Sequence, residues 1–269
     1  MSDHDLHDRG LAFDLETIFD RRHALKLFAG AGLATLIGCG SDETTTSSST
    51  PTATATATAS ADCETIPGET AGPYPGDGSN GPNVLTESGI VRDDIRSSFG
   101  DSSGTAEGVP LTVELTVVDT GSDCAPLEGA AVYVWHCDRA GGYSLYSEGI
   151  TDQNYLRGVQ EAGADGKVTF TTIFPAAYMG RWPHIHFEVY ASIDDATGGG
   201  QPTVTTQLAL PEDVCSAVYA TEGYEQSVQN LAQTSLDGDM VFSDGADAQL
   251  AAVEVDVDGG YTATLTVAV

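Results

Sequence analysis

The sequence contains few basic residues. Only 10 of its 269 residues are Lys or Arg, against 40 Asp and Glu, so the formal net charge is −30. Nucleic-acid binding needs cations that displace counterions from the phosphate backbone, so we do not expect this chain to bind nucleic acid. Apolar residues make up 41% of the chain, which is too many for a disordered acidic tail. The length is enough for one large domain with a sizeable core.

Long apolar runs are also missing. The apolar stretch at residues 27–38 is too short to span a bilayer, and it follows the pair Arg21 and Arg22. The pair resembles a twin-arginine export signal, and the end of the stretch resembles a lipobox in which Cys39 would be lipidated. The alternative is a chance arginine pair before a buried helix. We expect an exported, membrane-anchored or cell-surface lipoprotein, and leave open whether Cys39 is lipidated or the leader is simply cleaved.

Domain boundaries follow from composition. Residues 1–38 are predicted to be the signal segment, residues 39–61 a flexible Ser/Thr/Ala linker and residues 62–269 the folded domain. Loss of the signal segment removes six acidic and four basic residues, which leaves 34 and six and a net charge of −28. Lys167 is the only lysine that remains. Such an acidic surface suggests solubility in high salt, and we expect activity to persist in molar salt, where the field is screened.

Cysteines are scarce too. Four remain besides Cys39, and an even number in an exported protein indicates two disulfides. Four cysteines allow three pairings, between which the sequence does not decide. We favour Cys63 with Cys124 and Cys137 with Cys215. A Cys-ligated metal site is disfavoured because no Cys-x-x-Cys spacing occurs.

The folded domain shows the period-two alternation of β-strands. In residues 111–117 the apolar side chains of Leu111, Val113, Leu115 and Val117 share one face. Further β-rich segments are residues 131–137, 167–174, 184–190, 203–210, 252–257 and 261–269. Residues 224–234 look helical, and a shorter turn is expected after Pro211. These features predict an all-β antiparallel sandwich with long loops, one or two short helices and its chemistry on one rim.

Histidine is scarce in the domain, which has only His136, His184 and His186. Residues i and i+2 of a strand point to the same face, so His184 and His186 can bind one metal ion. A lone His-x-His also occurs in zinc enzymes, in cupins, and as two surface histidines. We interpret His136 as a structural residue beside Trp135 in the core.

Several further motifs make the pattern specific. They are Glu69-Thr-Ala-Gly-Pro-Tyr74, Val134-Trp-His-Cys-Asp-Arg-Ala-Gly-Gly-Tyr-Ser144, Tyr155-Leu-Arg-Gly-Val-Gln160, Asp165-Gly-Lys-Val-Thr-Phe-Thr-Thr-Ile-Phe174 and Phe174-Pro-Ala-Ala-Tyr-Met-Gly-Arg-Trp-Pro-His-Ile-His186. From about residue 63 to residue 210 the chain resembles the intradiol ring-cleavage dioxygenases, the family of protocatechuate 3,4-dioxygenase and catechol 1,2-dioxygenase. We assign five other tyrosines to packing and rim positions, namely Tyr133, Tyr146, Tyr190, Tyr219 and Tyr261. We assign Arg157 and Gln160 to structural support.

The resemblance implies a non-haem Fe³⁺ cofactor. Its metal ligands would be Tyr143, Tyr178, His184 and His186. Ferric iron is a hard cation that favours anionic oxygen, and phenol ionises only near pH ~10 unless a strong local charge assists it. Two tyrosinates and two imidazoles would leave a net charge of +1 and one position for hydroxide.

The resemblance also implies catalytic and substrate-binding residues. Arg181 and Gln207 would stabilise charge on the substrate, Tyr178 would help take a substrate proton, and Tyr74 would line the pocket. A structural salt bridge is the alternative for Arg181. Only Met179 and Gly180 separate Tyr178 from Arg181, whereas well-known members have a longer loop, so substrate preference is not carried over.

The implied activity is cleavage of catechol-type aromatics by O₂ to cis,cis-muconate-type dicarboxylates, in aromatic catabolism. The partners would be a catechol and O₂, with membrane contact only through the lipid anchor. Two rivals remain open. One is a non-catalytic carbohydrate-binding or adhesion sandwich, and the other is a zinc hydrolase using His184, His186 and His136. Metal content separates them. The sequence determines neither the particular catechol nor the oligomeric state.

Overall fold

The computed structural model of the protein describes residues 63–256 and 259–269. These residues form nine strands in two sheets, with short helices and turns between them. The strands are β1 (Pro110–Asp119), β2 (Ala125–Pro126), β3 (Ala131–Trp135), β4 (Arg157–Glu161), β5 (Lys167–Ile173), β6 (His184–Tyr190), β7 (Val204–Ala209), β8 (Ala252–Val255) and β9 (Tyr261–Ala268). The α-helices are α1 (Ile193–Gly198), α2 (Glu212–Tyr219) and α3 (Glu225–Leu231). The predicted all-β sandwich is confirmed.

The first sheet is built around β1. Its neighbours are β9 along one edge, with β8 beyond, and β5 and β2 along the other. Leu111, Val113, Leu115 and Val117 are all buried in the core between the sheets, as their alternation predicts. β1 and β9 run parallel. This pair is the one parallel ladder among the described strands of the antiparallel sandwich, because the C-terminal strand lies beside β1 in the same direction.

The second sheet has the order β4-β3-β6-β7 and is antiparallel throughout. Every residue of β3 and β6 is buried. Alternate side chains such as Val132 and Ile185 face the first sheet. The opposite face, which carries Trp135, is covered by irregular segments that include Val84 and Tyr143. A sheet covered on both sides can present polar side chains in an enclosed space, and this face holds the candidate site.

The sequence located most elements but not all. β6 begins and ends at the predicted residues, and the predicted helix at residues 224–234 is the shorter α3. The turn expected after Pro211 is the longer helix α2. Neither β4 nor α1 was predicted. Among the described residues, no helix is long and apolar enough to cross a membrane.

One of the two predicted disulfides is present. Cys63 and Cys124 are bonded, with their Cα atoms 5.8 Å apart. Cys137 and Cys215 are free, buried thiols, so the second predicted disulfide is wrong. Cys215 lies in the core between the sheets, whereas Cys137 packs on the other face of the second sheet. Burial raises the pKa of the Cys137 thiol to about 12 and also raises that of Cys215. The predicted signal segment, linker and lipidated Cys39 lie outside the described residues.

Candidate metal centre

A single row of paired residues crosses all four strands of the second sheet. Arg157 on β4 pairs with Trp135 on β3, which pairs with His186 on β6, which pairs with Gln207 on β7. The Trp135 indole stacks on the His186 imidazole, with ring centroids 4.9 Å apart and planes 7° from parallel. His184 precedes His186 by two residues and lies on the same face. Both histidines are buried, so the rigid sheet fixes both rings.

Two tyrosines reach the histidines from loops. Tyr143 follows a turn that Asp138 organises, since its Oδ1 accepts the N–H groups of Ala140 at 2.9 Å and Gly142 at 3.0 Å. Gly141 in this turn has φ +89°, a conformation that favours glycine. Tyr178 stands between β5 and β6, and the Arg181 N–H donates to its carbonyl at 3.3 Å. The two short turns carry the phenols to the open side of the histidines.

Four donor atoms converge at this point. The Tyr178 hydroxyl lies 3.1 Å from His184 Nε2 and 3.4 Å from the Tyr143 hydroxyl. His184 Nε2 and His186 Nε2 are 3.1 Å apart. Atoms that bind one ion at about 2 Å lie about 3 Å from each other at ordinary coordination angles. The spacing of the two phenols and two imidazoles is therefore that of a ligand set for one ion.

The protonation states suit metal binding at the imidazoles. His184 Nδ1 lies 2.5 Å from the Trp182 carbonyl, which can only accept, so Nδ1 carries the proton and Nε2 keeps its lone pair. Burial, with Arg181 adding to it, lowers the pKa of both His184 and His186 well below the usual value. Both rings are therefore neutral at physiological pH, which is the form that ligates a metal.

The phenols need a cation to ionise. Burial raises the pKa of Tyr178 to about 12 and that of Tyr143 well above its usual value. The polypeptide alone therefore keeps both hydroxyls protonated, and a strong positive charge between them would favour the phenolates. Hard anionic oxygens together with imidazole nitrogens form a donor set that fits ferric iron.

A third histidine does not join the group. His136 is buried elsewhere, with Nδ1 2.8 Å from the Cys137 carbonyl and Nε2 2.7 Å from the Thr172 hydroxyl. Both of its ring nitrogens are therefore occupied, as expected of a structural histidine. Within residues 63–256 and 259–269, no three His, Cys, Asp or Glu side chains are grouped as metal ligands.

Arg181 lies against the donor group and is held on two sides. Its Nε donates to Asp239 at 2.9 Å and its Nη2 to the Gln207 side-chain oxygen at 2.6 Å. Nη1 lies 3.4 Å from His184 Nε2. The Gln207 amide nitrogen donates in turn to the Thr70 carbonyl at 2.9 Å. Arg181 and Gln207 are predicted site residues, whereas Asp239 was not predicted.

Tyr74 forms one wall of the site. Its ring centroid lies 5.0 Å from that of Tyr143, and the side chain is 38% exposed. Buried Arg157 fixes this wall by donating to the carbonyls of Tyr74, at 3.0 Å, and Ser144, at 2.9 Å. Met179, at the tip of the short loop, is 83% exposed.

All seven predicted site residues come together. The four predicted ligands converge, Arg181 is hydrogen-bonded to Gln207, and Tyr74 packs on Tyr143. Their catalytic roles stay predictions. Two contributors were missed. No sequence pattern distinguishes Asp239 from the many other acidic residues. Arg157, assigned only to structural support, connects two walls of the site.

Comparison with known proteins gives a consistent result. A family model described as Dioxygenase matches residues 80–242. Catechol 1,2-dioxygenase 1 of Acinetobacter lwoffii is 41% identical over 70 residues, which cover 26% of this chain and 22% of that protein. Chlorocatechol 1,2-dioxygenase of Rhodococcus opacus is 32% identical over 118 residues, covering 35% of this chain and 43% of that protein. The alignments thus span less than half the length of these curated relatives.

A solved structure matches over a greater length. The intradiol ring-cleavage dioxygenase from Tetranychus urticae is 26% identical and superposes with a TM-score of 0.58. The match covers 77% of this chain and 94% of that one. The resemblance therefore extends over nearly the whole of that structure.

Proposed function

Because the chain belongs to the intradiol ring-cleavage dioxygenase family, we propose that it cleaves catechol-type aromatics with O₂ to cis,cis-muconate-type dicarboxylates, in aromatic catabolism. Both atoms of O₂ enter the product. The observation that carries the proposal is the convergence of two phenol oxygens and two imidazole nitrogens at separations of 3.1 to 3.4 Å. A carbohydrate-binding or adhesion sandwich gives no reason to bury such a set.

Tyr143, Tyr178, His184 and His186 would hold the ferric ion. When bound, the ion would supply a Lewis acid that holds the catecholate and activates it towards O₂. A phenolate at Tyr178 Oη can accept a proton from a substrate hydroxyl. Arg181 Nη1, 3.4 Å from His184 Nε2, can donate to an oxygen on which negative charge develops. Gln207 keeps that guanidinium in place, and the Tyr74 ring offers a flat apolar wall to the substrate ring.

We further propose that the preferred catechol has no anionic ring substituent. Each of the six basic side chains after residue 38 already has partners within the chain. Their partners are Arg157 and Asn154 carbonyls for Arg92, Asp94 for Arg96, Glu107 for Arg139, neutral oxygens for Arg157, Glu114 for Lys167, and Asp239 for Arg181. Of the two buried arginines beside the site, Arg181 is paired with Asp239 and Arg157 has donated every N–H group. A ring carboxylate would therefore lose its hydration without gaining a cation that is both unpaired and free to donate to it. The charge of −28 also opposes the approach of anions.

The proposed function is tested on purified full-length protein, with metal content measured as isolated and activity measured after reconstitution with iron. We expect one iron per chain, a visible tyrosinate-to-iron absorption, and O₂ consumption with catechol. Tyr178→Phe should lose the activity and weaken the absorption, of which the Tyr143 contribution remains. His184→Ala should lose both, whereas Tyr261→Phe, on β9, should keep both. Zinc as the bound metal would support the hydrolase alternative. Absence of a stoichiometric metal would support the adhesion alternative.

The substrate proposal has its own measurement. We expect kcat/KM for catechol and 4-methylcatechol to exceed that for protocatechuate by on the order of tenfold or more, because the carboxylate is left unpaired. Hydroxyquinol, which is uncharged, should resemble catechol. A preference for protocatechuate would contradict this proposal while leaving the intradiol activity intact.

We also propose that the protein is exported through its N-terminal segment and anchored at Cys39. Support comes from the arginine pair, the apolar stretch and Cys39 in that order, and from the Cys63–Cys124 disulfide, which is typical of oxidising compartments. Cell fractionation should find the wild-type protein with membranes and Cys39→Ser in the medium or soluble fraction outside the cytoplasm. Equal distribution of the two would contradict lipid anchoring.

A further inference from the structure

Asp239 is a fully buried carboxylate with four donors around it. Its Oδ2 accepts the Arg181 Nε–H at 2.9 Å and the Trp182 backbone N–H at 2.6 Å. Its Oδ1 accepts the backbone N–H groups of Val241 at 2.8 Å and Phe242 at 3.3 Å. One oxygen therefore holds both the side chain of Arg181 and the backbone that follows it, while the other caps its own turn.

Two edges of the Arg181 guanidinium are fixed in this way. Nε is held by Asp239, and Nη2 is held by Gln207 at 2.6 Å. The guanidinium is planar with its donors in a rigid fork, so fixing two nitrogens also fixes the third. That third nitrogen, Nη1, lies 3.4 Å from His184 Nε2, at the donor group.

We propose that Asp239 is a positioning residue for the reaction: it orients Arg181 so that Nη1 faces the donor group beside His184. Without Asp239, the guanidinium would keep only the contact to Gln207 and could rotate away. Asp239 also pairs the charge of Arg181 inside the protein, so that Arg181 contributes a directed hydrogen-bond donor instead of a free cation. The catalytic part of this inference rests on the proposed function.

A purely structural role is the rival explanation, since Asp239 also caps the turn at Val241 and Phe242. Asp239→Asn separates the two roles. The asparagine oxygen can still accept from Val241 and Phe242, but the amide NH₂ then meets the donors of Arg181 and Trp182. The matched control is Asp237→Asn, an exposed carboxylate of the same segment.

The first measurement does not depend on turnover. In ¹⁵N spectra of full-length protein prepared without iron, the eight arginines give at most eight Nε–H signals. The signal absent from Arg181→Lys identifies Arg181. We expect this proton to exchange slowly with solvent in the wild type and in Asp237→Asn, and at least tenfold faster in Asp239→Asn. Fast exchange in the wild type would overturn the proposal even if Asp239→Asn failed to fold.

The second measurement uses the iron-loaded enzyme. Asp239→Asn should lower kcat by about 10²-fold, the effect of losing one preorganised donor, while iron content and visible absorption match the wild type. In an Arg181→Ala background, Asp239→Asn should have little further effect on kcat, because Asp239 acts through Arg181. An equal loss in both backgrounds, or wild-type kcat in Asp239→Asn, would overturn the positioning role. Slow exchange at Arg181 with no turnover of any catechol would instead refute the proposed function.

Discussion

Arg157 and Arg181 are both buried beside the candidate metal centre, but their hydrogen-bond acceptors differ in kind. Arg157 donates all five of its N–H groups to neutral oxygens, which belong to Tyr74, Pro75, Ser144 and Tyr133. Arg181 donates to a carboxylate and an amide and leaves Nη1 beside His184. A guanidinium with no donor left over can only hold the structure together, whereas one with a free edge can act on a substrate.

The location of the two arginines follows the same distinction. Arg157 is one end of the row that crosses the second sheet, and it connects the Tyr74 segment to the loop that carries Tyr143. Arg181 lies in the turn after Tyr178 and is held from the other end of that row by Gln207. The same substitution should therefore lower stability at Arg157 and turnover at Arg181.

The largest expected effect is on the stability of Arg157→Lys. An ammonium group has three donors on a flexible stem, so at least two of the five acceptors lose their partner in a buried place. We expect the free energy of unfolding to fall by roughly 2–4 kcal/mol. Chemical denaturation with two probes measures it. Unchanged stability would show that Arg157 is not the connection described above.

Arg181→Lys is expected to affect turnover more than stability. Lysine keeps the charge next to Asp239, so the buried carboxylate is not left without a cation. It cannot contact Asp239 and Gln207 while also presenting a donor beside His184. We expect kcat to fall by about 10²-fold and the unfolding free energy to change less than in Arg157→Lys. A loss of stability equal to that of Arg157→Lys, with kcat retained, would reverse the comparison.

Most residues of the candidate site could be predicted from the sequence because they lie in short motifs. His184 and His186 occupy one strand face by simple alternation, and Tyr178 and Arg181 stand six and three residues before His184. The family resemblance also implied Tyr143, although it reaches the site from another loop.

The parts that were not predicted depend on distant contacts. Asp239 lies 58 residues from Arg181, in a chain with 40 acidic residues, so nothing local marks it. Whether Cys137 meets Cys215 depends on which side of a sheet each one packs, which spacing does not reveal. The parallel pairing of β1 with β9 likewise depends on how the two ends of the domain meet.

A smaller effect is expected when a methyl group is placed against Arg157. An added Cβ at Gly76 would lie 2.7 Å from Arg157 Nη1, and Gly76 has φ +70°. Gly100 has φ +67° with nothing within 4 Å of its added Cβ, so Gly100→Ala measures only the cost of placing alanine at a positive φ. Gly76→Ala should destabilise by about 1–3 kcal/mol more than Gly100→Ala. Equal losses would indicate that Arg157 moves aside without cost.

The smallest expected effect is a pH dependence of the unfolding free energy that arises from Tyr133, which neighbours Arg157. Burial raises the pKa of Tyr133 to about 12, although Arg157 acts in the opposite direction. The unfolded tyrosine has its usual pKa of 10.0, so the unfolded chain ionises first. This contribution to stability is complete below pH 10 and is lost as pH rises towards 12, at up to about 1.4 kcal/mol per pH unit.

Tyr133→Phe isolates this contribution from those of the other buried tyrosines. In the wild type the Tyr133 hydroxyl donates a hydrogen bond to the Pro75 carbonyl at 2.7 Å. The variant lacks this hydroxyl, so it should be less stable by about 1 kcal/mol at pH 8. Between pH 10 and 11 its unfolding free energy should fall less steeply than that of the wild type. Parallel curves would mean that Tyr133 ionises in the folded protein as readily as in the unfolded chain. In that case Arg157 would stabilise the phenolate, and it would resemble Arg181 more than the hydrogen bonds indicate.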